Sequence, residues 1–215
     1  MDLLNGTGPH NVCFVMKASD LRGWLDYDRD KLHLLPPEER IAYFEMRVRY
    51  VALDPMRRLL NGELDVPGEH SSALLIFGVS LCCAIEACGK FLLGRGANGN
   101  AQRFYAFVNQ YMSSEFGRHD IPGSSNAEIV WKHFRNGLAH GFAVSHGGFE
   151  GTPSEPYFKV KMILKQPSLE VNPTRLLDDF EQGVARYLAD LRAHPGTAVW
   201  DEFQFVFQDV FIDGN

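Results

Sequence analysis

The longest apolar stretch of the chain, residues 71–93, restricts the fold more than any other feature. Apolar side chains occupy nearly the whole circumference of a helix built from it, which predicts a helix buried on all sides. Its most apolar part, residues 73–85, is interrupted by Ser80 and closed by Glu86. This part is shorter than the roughly 20 residues that a membrane-spanning helix needs. We therefore expect the stretch to form the central helix of a protein that does not cross a membrane.

Glu86 and Lys90 are the notable polar residues of this helix. Their spacing, with the acid one turn before the base, favours an ion pair between them on a solvated edge. Alternatively, Glu86 is buried and orients a basic residue on a neighbouring helix, since a buried carboxylate normally requires a partner. The sequence leaves both interpretations open.

Periodicity and capping residues predict further helices on both sides of the central one. The first begins at Pro36 and Pro37, is kinked or broken at Pro55, and ends at Asn61 and Gly62. Other predicted elements are a strand or anchoring segment at 12–16, a helix capped by Ser19, a helix at 104–112, a helix from 127 capped by Asn126 and a helix at 173–194. The spacing of apolar residues at 200–210 favours a C-terminal helix, although residues 203–205 also suit a strand.

The chain changes character between residues 144 and 171. Adjacent glycines at 147–148 suit a turn, and residues 157–163 alternate in polarity and include β-branched and aromatic side chains. Residues 168–171 suit a last short strand. We expect a small β-hairpin, or two to three short strands, inserted before the penultimate helix.

A chain of 215 residues with 45% hydrophobic content can bury one large core. We expect a mainly α single domain with a helical core at 67–195. Residues 1–66 are predicted to form a helical extension packed on it, and residues 196–215 an aromatic C-terminal segment.

Charge and cysteine content narrow the classes of function. The formal net charge of −6 argues against a nucleic-acid-binding surface that is basic overall, so contact with phosphates would need a local patch. No Cys-x-x-Cys pair occurs, and three of the four cysteines lie in the apolar stretch at 71–93, where we expect them to be buried in the core as small hydrophobic residues. This pattern predicts no zinc site and favours a reducing compartment. The polar residues 1–10 do not resemble a signal peptide, which favours a cytoplasmic protein.

Residues 131–142 combine helical spacing with basic and amide side chains. On an ideal helix, an apolar face is formed by Ala127, Trp131, Phe134 and Leu138. The opposite face carries Lys132, Asn136 and His140, and Arg135 lies about 140° from His140. A purely structural interpretation is also open, in which Asn136-Gly137 is a turn or His140-Gly141 a helix C-terminus.

Residues 135–140, Arg-Asn-Gly-Leu-Ala-His, resemble the Arg-Asn-x-x-x-His signature of the HEPN superfamily. A preceding hydrophobic helix with a Glu, here Glu86, belongs to the same pattern, and the resemblance in helix order covers about residues 71–192. The resemblance implies a HEPN-type helical bundle, usually a homodimer in which two motifs face one cleft. Many members are metal-independent endoribonucleases, some in toxin–antitoxin or defence systems, and others are inactive RNA-binding or regulatory modules.

The residue types fit RNA cleavage without a metal or cofactor. Such cleavage removes the 2′-hydroxyl proton, stabilises charge on the phosphate and protonates the leaving oxygen. His140 suits the proton transfers and Arg135 the phosphate, while Asn136 would hold the phosphate or orient His140. Lys132 or His133 would extend the positive patch. The expected partners are RNA, a second copy of the chain and a regulatory protein.

Overall fold

The computed structural model of the chain describes residues 29–63, 70–96, 99–137 and 147–214. The strand or anchoring segment predicted at 12–16 and the cap at Ser19 lie outside these residues. The described chain is mainly helical with a small sheet, which confirms the mainly α prediction. Its α-helices are α1 (Arg29–Leu32), α2 (Pro37–Val48), α3 (Asp54–Leu60), α4 (His70–Leu93), α5 (Asn100–Tyr111), α6 (Asn126–Ile129), α7 (Pro173–Ala193) and α8 (Ala198–Phe207).

Helix α4 is the predicted central helix, and it packs mainly against α5 and α8. Phe77, Leu81 and Ile85 are completely buried. Helix α5 approaches closely at Gly89, where an added Cβ would lie 2.0 Å from the carbonyl oxygen of Arg103. Glycine is therefore required at this crossing, because any side chain would separate the two helices.

Within the described residues, one helical stretch is long and apolar enough by composition to cross a membrane: Ala73–Gly96, which is α4 from Ala73 onward with the 3₁₀ turn that follows it. Half of its most apolar window, 50%, is buried in the protein. The core helix of a soluble protein has the same length and composition. Helix α4 packs against α5 and α8, whereas Ile76, Cys83 and Ala87 on the same helix are exposed.

Helix α2 begins at Pro37, as predicted, and the helical path continues through Pro55 where a kink or break was expected. A π-helical segment, Arg49–Leu53, directly precedes α3. The amide of Asp54 bonds back to the carbonyl of Arg49, so this wider turn joins α2 to α3 in place of a break. The helix ends at Asn61 and Gly62 as predicted, with Gly62 at a φ of +70°.

The predicted β region forms a three-stranded sheet in the order β1-β3-β2, with β1 (Gly147–Phe149), β2 (Phe158–Ile163) and β3 (Gln166–Val171). Strands β2 and β3 form the expected antiparallel hairpin, and β1 runs parallel to β3. Phe149 of β1 makes ring contacts with Phe77 and Phe134. The sheet is thereby fixed to the central helix and to the helix that carries the Arg-Asn motif.

Helix α7 begins at Pro173 with Asn172 as its N-cap, and it ends before His194, as predicted. The C-terminal segment is helical, as expected, and consists of α8 and a π-helical segment, Gln208–Asp213. Phe203 of α8 contacts Phe44 of α2 and Phe91 of α4. The described N-terminal and C-terminal helices thus share one hydrophobic core with the central helix.

Candidate functional site

The helix that carries the Arg-Asn motif, here called the motif helix, consists of α6 and a π-helical segment, Val130–Asn136. Its N-cap is Ser125, and not Asn126 as predicted. The Ser125 hydroxyl accepts from the amide of Glu128, and the Glu128 carboxylate accepts from the amide of Ser125 at 2.7 Å. This reciprocal arrangement is a capping box, which the Ser-x-x-Glu pattern could have indicated.

Asn126 serves instead as a buried brace for the preceding loop. Its side-chain amide donates to the carbonyl of Glu115 at 3.0 Å and to the carboxylate of Asp120 at 2.8 Å. The residue is completely buried. These contacts fix the start of the motif helix relative to the rest of the bundle.

The described part of the predicted apolar face is buried, with Ala127, Trp131 and Phe134 at most 8% exposed. Hydrogen bonds between residues five apart widen the turn, so angles drawn for an ideal α-helix do not apply beyond Ile129. Gly137 has right-handed helical angles, φ −59° and ψ −45°, and the interpretation of Asn136-Gly137 as a turn is therefore wrong.

Glu86 and Arg135 form a bidentate ion pair, here called the buried pair. Arg135 Nε donates to Glu86 Oε1 at 2.6 Å, and Arg135 Nη2 donates to Glu86 Oε2 at 3.2 Å. The side chains are only 10% and 17% exposed, respectively. Lys90 pairs with Asp209 at 3.2 Å, so the Glu86–Lys90 pair of the first interpretation is not formed. The second interpretation of Glu86 is therefore correct: its carboxylate is buried and pairs with a basic residue on another helix.

The buried pair keeps Arg135 charged and oriented. The hydrogen bond to Glu86 raises the pKa of Arg135, against the opposing effect of burial. The guanidinium carbon lies 5.1 Å from the centre of the Trp131 ring, and Nη1 makes a long contact, 3.4 Å, with Asn136 Oδ1. A guanidinium has more N–H donors than these contacts use, which leaves capacity for an anion.

Two cysteines of α4 lie close to the buried pair, and sequence reasoning assigned them only to the core. Burial raises the pKa of the Cys82 and Cys83 thiols, and the negative charge of Glu86 raises both further. Both thiols are therefore neutral near pH 7. Their positions, three and four residues before Glu86 on the same helix face, were the available signal.

The remaining predicted site residues divide into described and undescribed ones. Lys132 is exposed, and His133 and Asn136 are half-buried on the same helix. His140 lies outside the described residues, as do Leu138 and Gly141. The undescribed segment that contains His140 lies between two described residues, Gly137 and Gly147. Gly137 ends the described motif helix, and Gly147 of β1 packs so tightly that an added Cβ would lie 2.6 Å from the Phe134 ring.

The structure thus brings Arg135, Asn136 and Glu86 together. Within the described residues, no group of three or more His, Cys, Asp or Glu side chains has the geometry to hold a metal ion. The assembled groups can bind an anion through the outer edge of the guanidinium, next to an amide side chain.

Comparison with known proteins adds no assignment to this geometry: the chain matches no family model, no curated protein and no solved structure.

Proposed function

We propose that this protein is a HEPN-type, metal-independent endoribonuclease that acts as a cytoplasmic homodimer. The observation that carries the proposal is the buried pair, in which Glu86 holds Arg135 in a fixed orientation beside Asn136. An oriented, permanently charged guanidinium is suited to bind a phosphate through parallel N–H donors.

The reaction follows from the roles proposed for these groups. His140 removes the 2′-hydroxyl proton, and the 2′-oxygen attacks the adjacent phosphorus. The bond from phosphorus to the 5′-oxygen breaks, and that oxygen takes up a proton from the His140 of the second protomer. Arg135 stabilises the charge that develops on the phosphoryl oxygens. The products carry a 2′,3′-cyclic phosphate and a 5′-hydroxyl.

Asn136 and the exposed cation of Lys132 complete the proposed site. Asn136 holds the phosphate or orients His140, and Lys132 with His133 extends the positive patch along the RNA backbone. Because the protein has a net charge of −6, its attraction for the RNA backbone would come from this local group of basic side chains. A regulatory protein that supplies further positive charge fits a role in toxin–antitoxin or defence systems.

A non-catalytic RNA-binding or regulatory module is the second candidate. The observation that favours it is the burial of Arg135, whose side chain is 17% exposed and gives two donors to Glu86. An arginine held in this way contributes to binding or to stability without contributing to a chemical step.

Incubation of the purified protein with structured and unstructured RNA in EDTA distinguishes the candidates. We expect cleavage by the wild type that leaves 2′,3′-cyclic phosphate ends, and at least about a 100-fold slower reaction for Arg135→Ala and for His140→Ala. Arg58→Ala removes a well-exposed arginine, 59% exposed, and serves as the matched control with an unchanged rate.

Cleavage that EDTA abolishes, or that both site variants retain, contradicts the nuclease proposal. RNA binding without cleavage, weakened by Arg135→Ala and not by Arg58→Ala, supports the second candidate.

A further inference from the structure

A second site is indicated by an apolar groove beside the central helix, here called the α4 groove. Its floor is α4, one wall is the continuous helix from Phe44 to Leu59, and the other wall is the segment Gln208–Asp213. The cavity measures about 540 Å³. Cavities of roughly 300–1,000 Å³ with apolar walls and few polar groups are typical of small-molecule sites.

Small side chains on one face of α4 give the groove its depth. Ser80, Cys83, Ala84 and Ala87 form the floor at helical spacing. Larger apolar side chains rise on either side, and two of them, Val51 and Ile76, are 58% and 50% exposed. An apolar ligand that fills the groove would remove these side chains from water.

The charge at the groove identifies the ligand chemistry further. Arg47 is the one charged residue among the described lining residues, and no carboxylate lines the groove with it. Its guanidinium carbon lies 5.6 Å from the centre of the Phe211 ring, at the aromatic end of the cavity. Among the ion pairs of the described residues, none includes Arg47, whereas Arg57 on α3 pairs with Asp178 and Glu181. The Arg47 guanidinium forms a hydrogen bond with the Tyr43 side chain and retains further N–H donors. A cation beside an otherwise apolar cavity complements a ligand with one anionic end.

We propose that the α4 groove binds an amphipathic monocarboxylate, with the carboxylate on Arg47 and an aliphatic body along the small-residue floor of α4. This proposal does not rest on the proposed nuclease function, and its test does not depend on RNA cleavage.

Calorimetric titration of the full-length protein with decanoate, below its micelle concentration, tests the proposal, and decan-1-ol serves as the uncharged probe. We expect saturable binding of decanoate and weaker binding of decan-1-ol. Arg47→Gln should weaken decanoate binding about tenfold and leave decan-1-ol binding unchanged, because only the charged contact is lost. Arg49→Gln, which alters an exposed arginine outside the lining, should bind like the wild type.

Ala84→Phe locates the site, because the larger side chain fills the floor of the groove, and it should abolish binding of both probes. Circular dichroism verifies that each variant is folded. The proposal is overturned by an absence of saturable decanoate binding, by equal affinities that Arg47→Gln does not change, or by full binding to folded Ala84→Phe. If another segment or a second copy of the chain covers the groove, the wild type will not bind decanoate, which also counts against it.

Discussion

Glu86 and Arg135 form an ion pair at positions where their side chains are 10% and 17% exposed, respectively. Removing one partner leaves an uncompensated charge in a poorly solvated site, so Glu86→Ala should lower the free energy of unfolding by about 3 kcal/mol. Replacing both residues by methionine removes the charges together and should restore most of the stability. Urea denaturation of the three proteins measures these differences.

The exposed pair Arg58–Glu63 provides the control for this prediction. Its side chains are 59% and 53% exposed and lie 3.6 Å apart. Glu63→Ala should therefore cost less than about 1 kcal/mol. Similar losses for Glu63→Ala and Glu86→Ala would show that burial does not determine the strength of the Glu86–Arg135 interaction.

Asp179 provides a prediction about pH. Burial raises the pKa of this carboxyl above its ordinary value of 3.8, although it accepts hydrogen bonds from the amide of Ser113 and the hydroxyl of Tyr157. A raised pKa in the folded state contributes stability at acidic pH that is lost as pH rises through that pKa. The stability of Asp179→Asn relative to the wild type should therefore increase as pH rises above 3.8. Parallel stability curves in urea denaturation across this range would contradict the assignment.

At the scale of elements, the sequence predicted those helix ends that depend on residues next to one another in the chain. Pro37, Asn172 and the glycine after Asn61 mark helix ends through their own backbone preferences, and α2, α3 and α7 begin or end there. The three π-helical segments in the described part of the chain were not predicted, because no residue pattern distinguishes a hydrogen bond to the fifth residue from one to the fourth. The partner of Glu86 was left open, because it lies 49 residues away in sequence.

The start of the motif helix provides a prediction at this scale. Ser125→Ala removes the hydroxyl that caps the amide of Glu128 and should lower the free energy of unfolding by about 1 kcal/mol. Asn126→Ala should cost more, because Asn126 is completely buried and the substitution removes its hydrogen bonds to the Glu115 carbonyl and to Asp120 Oδ2 and leaves a cavity in their place. Urea denaturation that ranks the two variants in the opposite order would contradict these assignments.

At the scale of the whole molecule, the net charge of −6 means that the proposed RNA binding would have to use a small local patch of cations. The resemblance to the HEPN signature predicted which residues belong to that patch, and the structure brings Arg135, Asn136 and Glu86 together. The sequence could not show that Arg135 is largely covered, because burial depends on how α4 and the motif helix pack.

The salt dependence of RNA binding tests this limited patch. Binding to single-stranded RNA should weaken with salt, with a logarithmic slope of about −0.7 for each phosphate contact. Lys132→Gln should reduce the magnitude of the slope by about that amount, because Lys132 is exposed on the motif helix. Lys165→Gln, on the exposed hairpin turn, should leave the slope unchanged. Fluorescence anisotropy at several salt concentrations measures both slopes, and equal effects would argue against a local patch.

The central claim is that Glu86 holds Arg135 for RNA chemistry and not for stability alone. The most direct test is the rate of RNA cleavage in EDTA by the wild type and by the Glu86→Met/Arg135→Met double variant, compared where their free energies of unfolding match. We expect cleavage by the wild type and at least about a 100-fold slower reaction for the equally stable double variant. Equal rates for the two proteins, or no cleavage by the wild type, would contradict it.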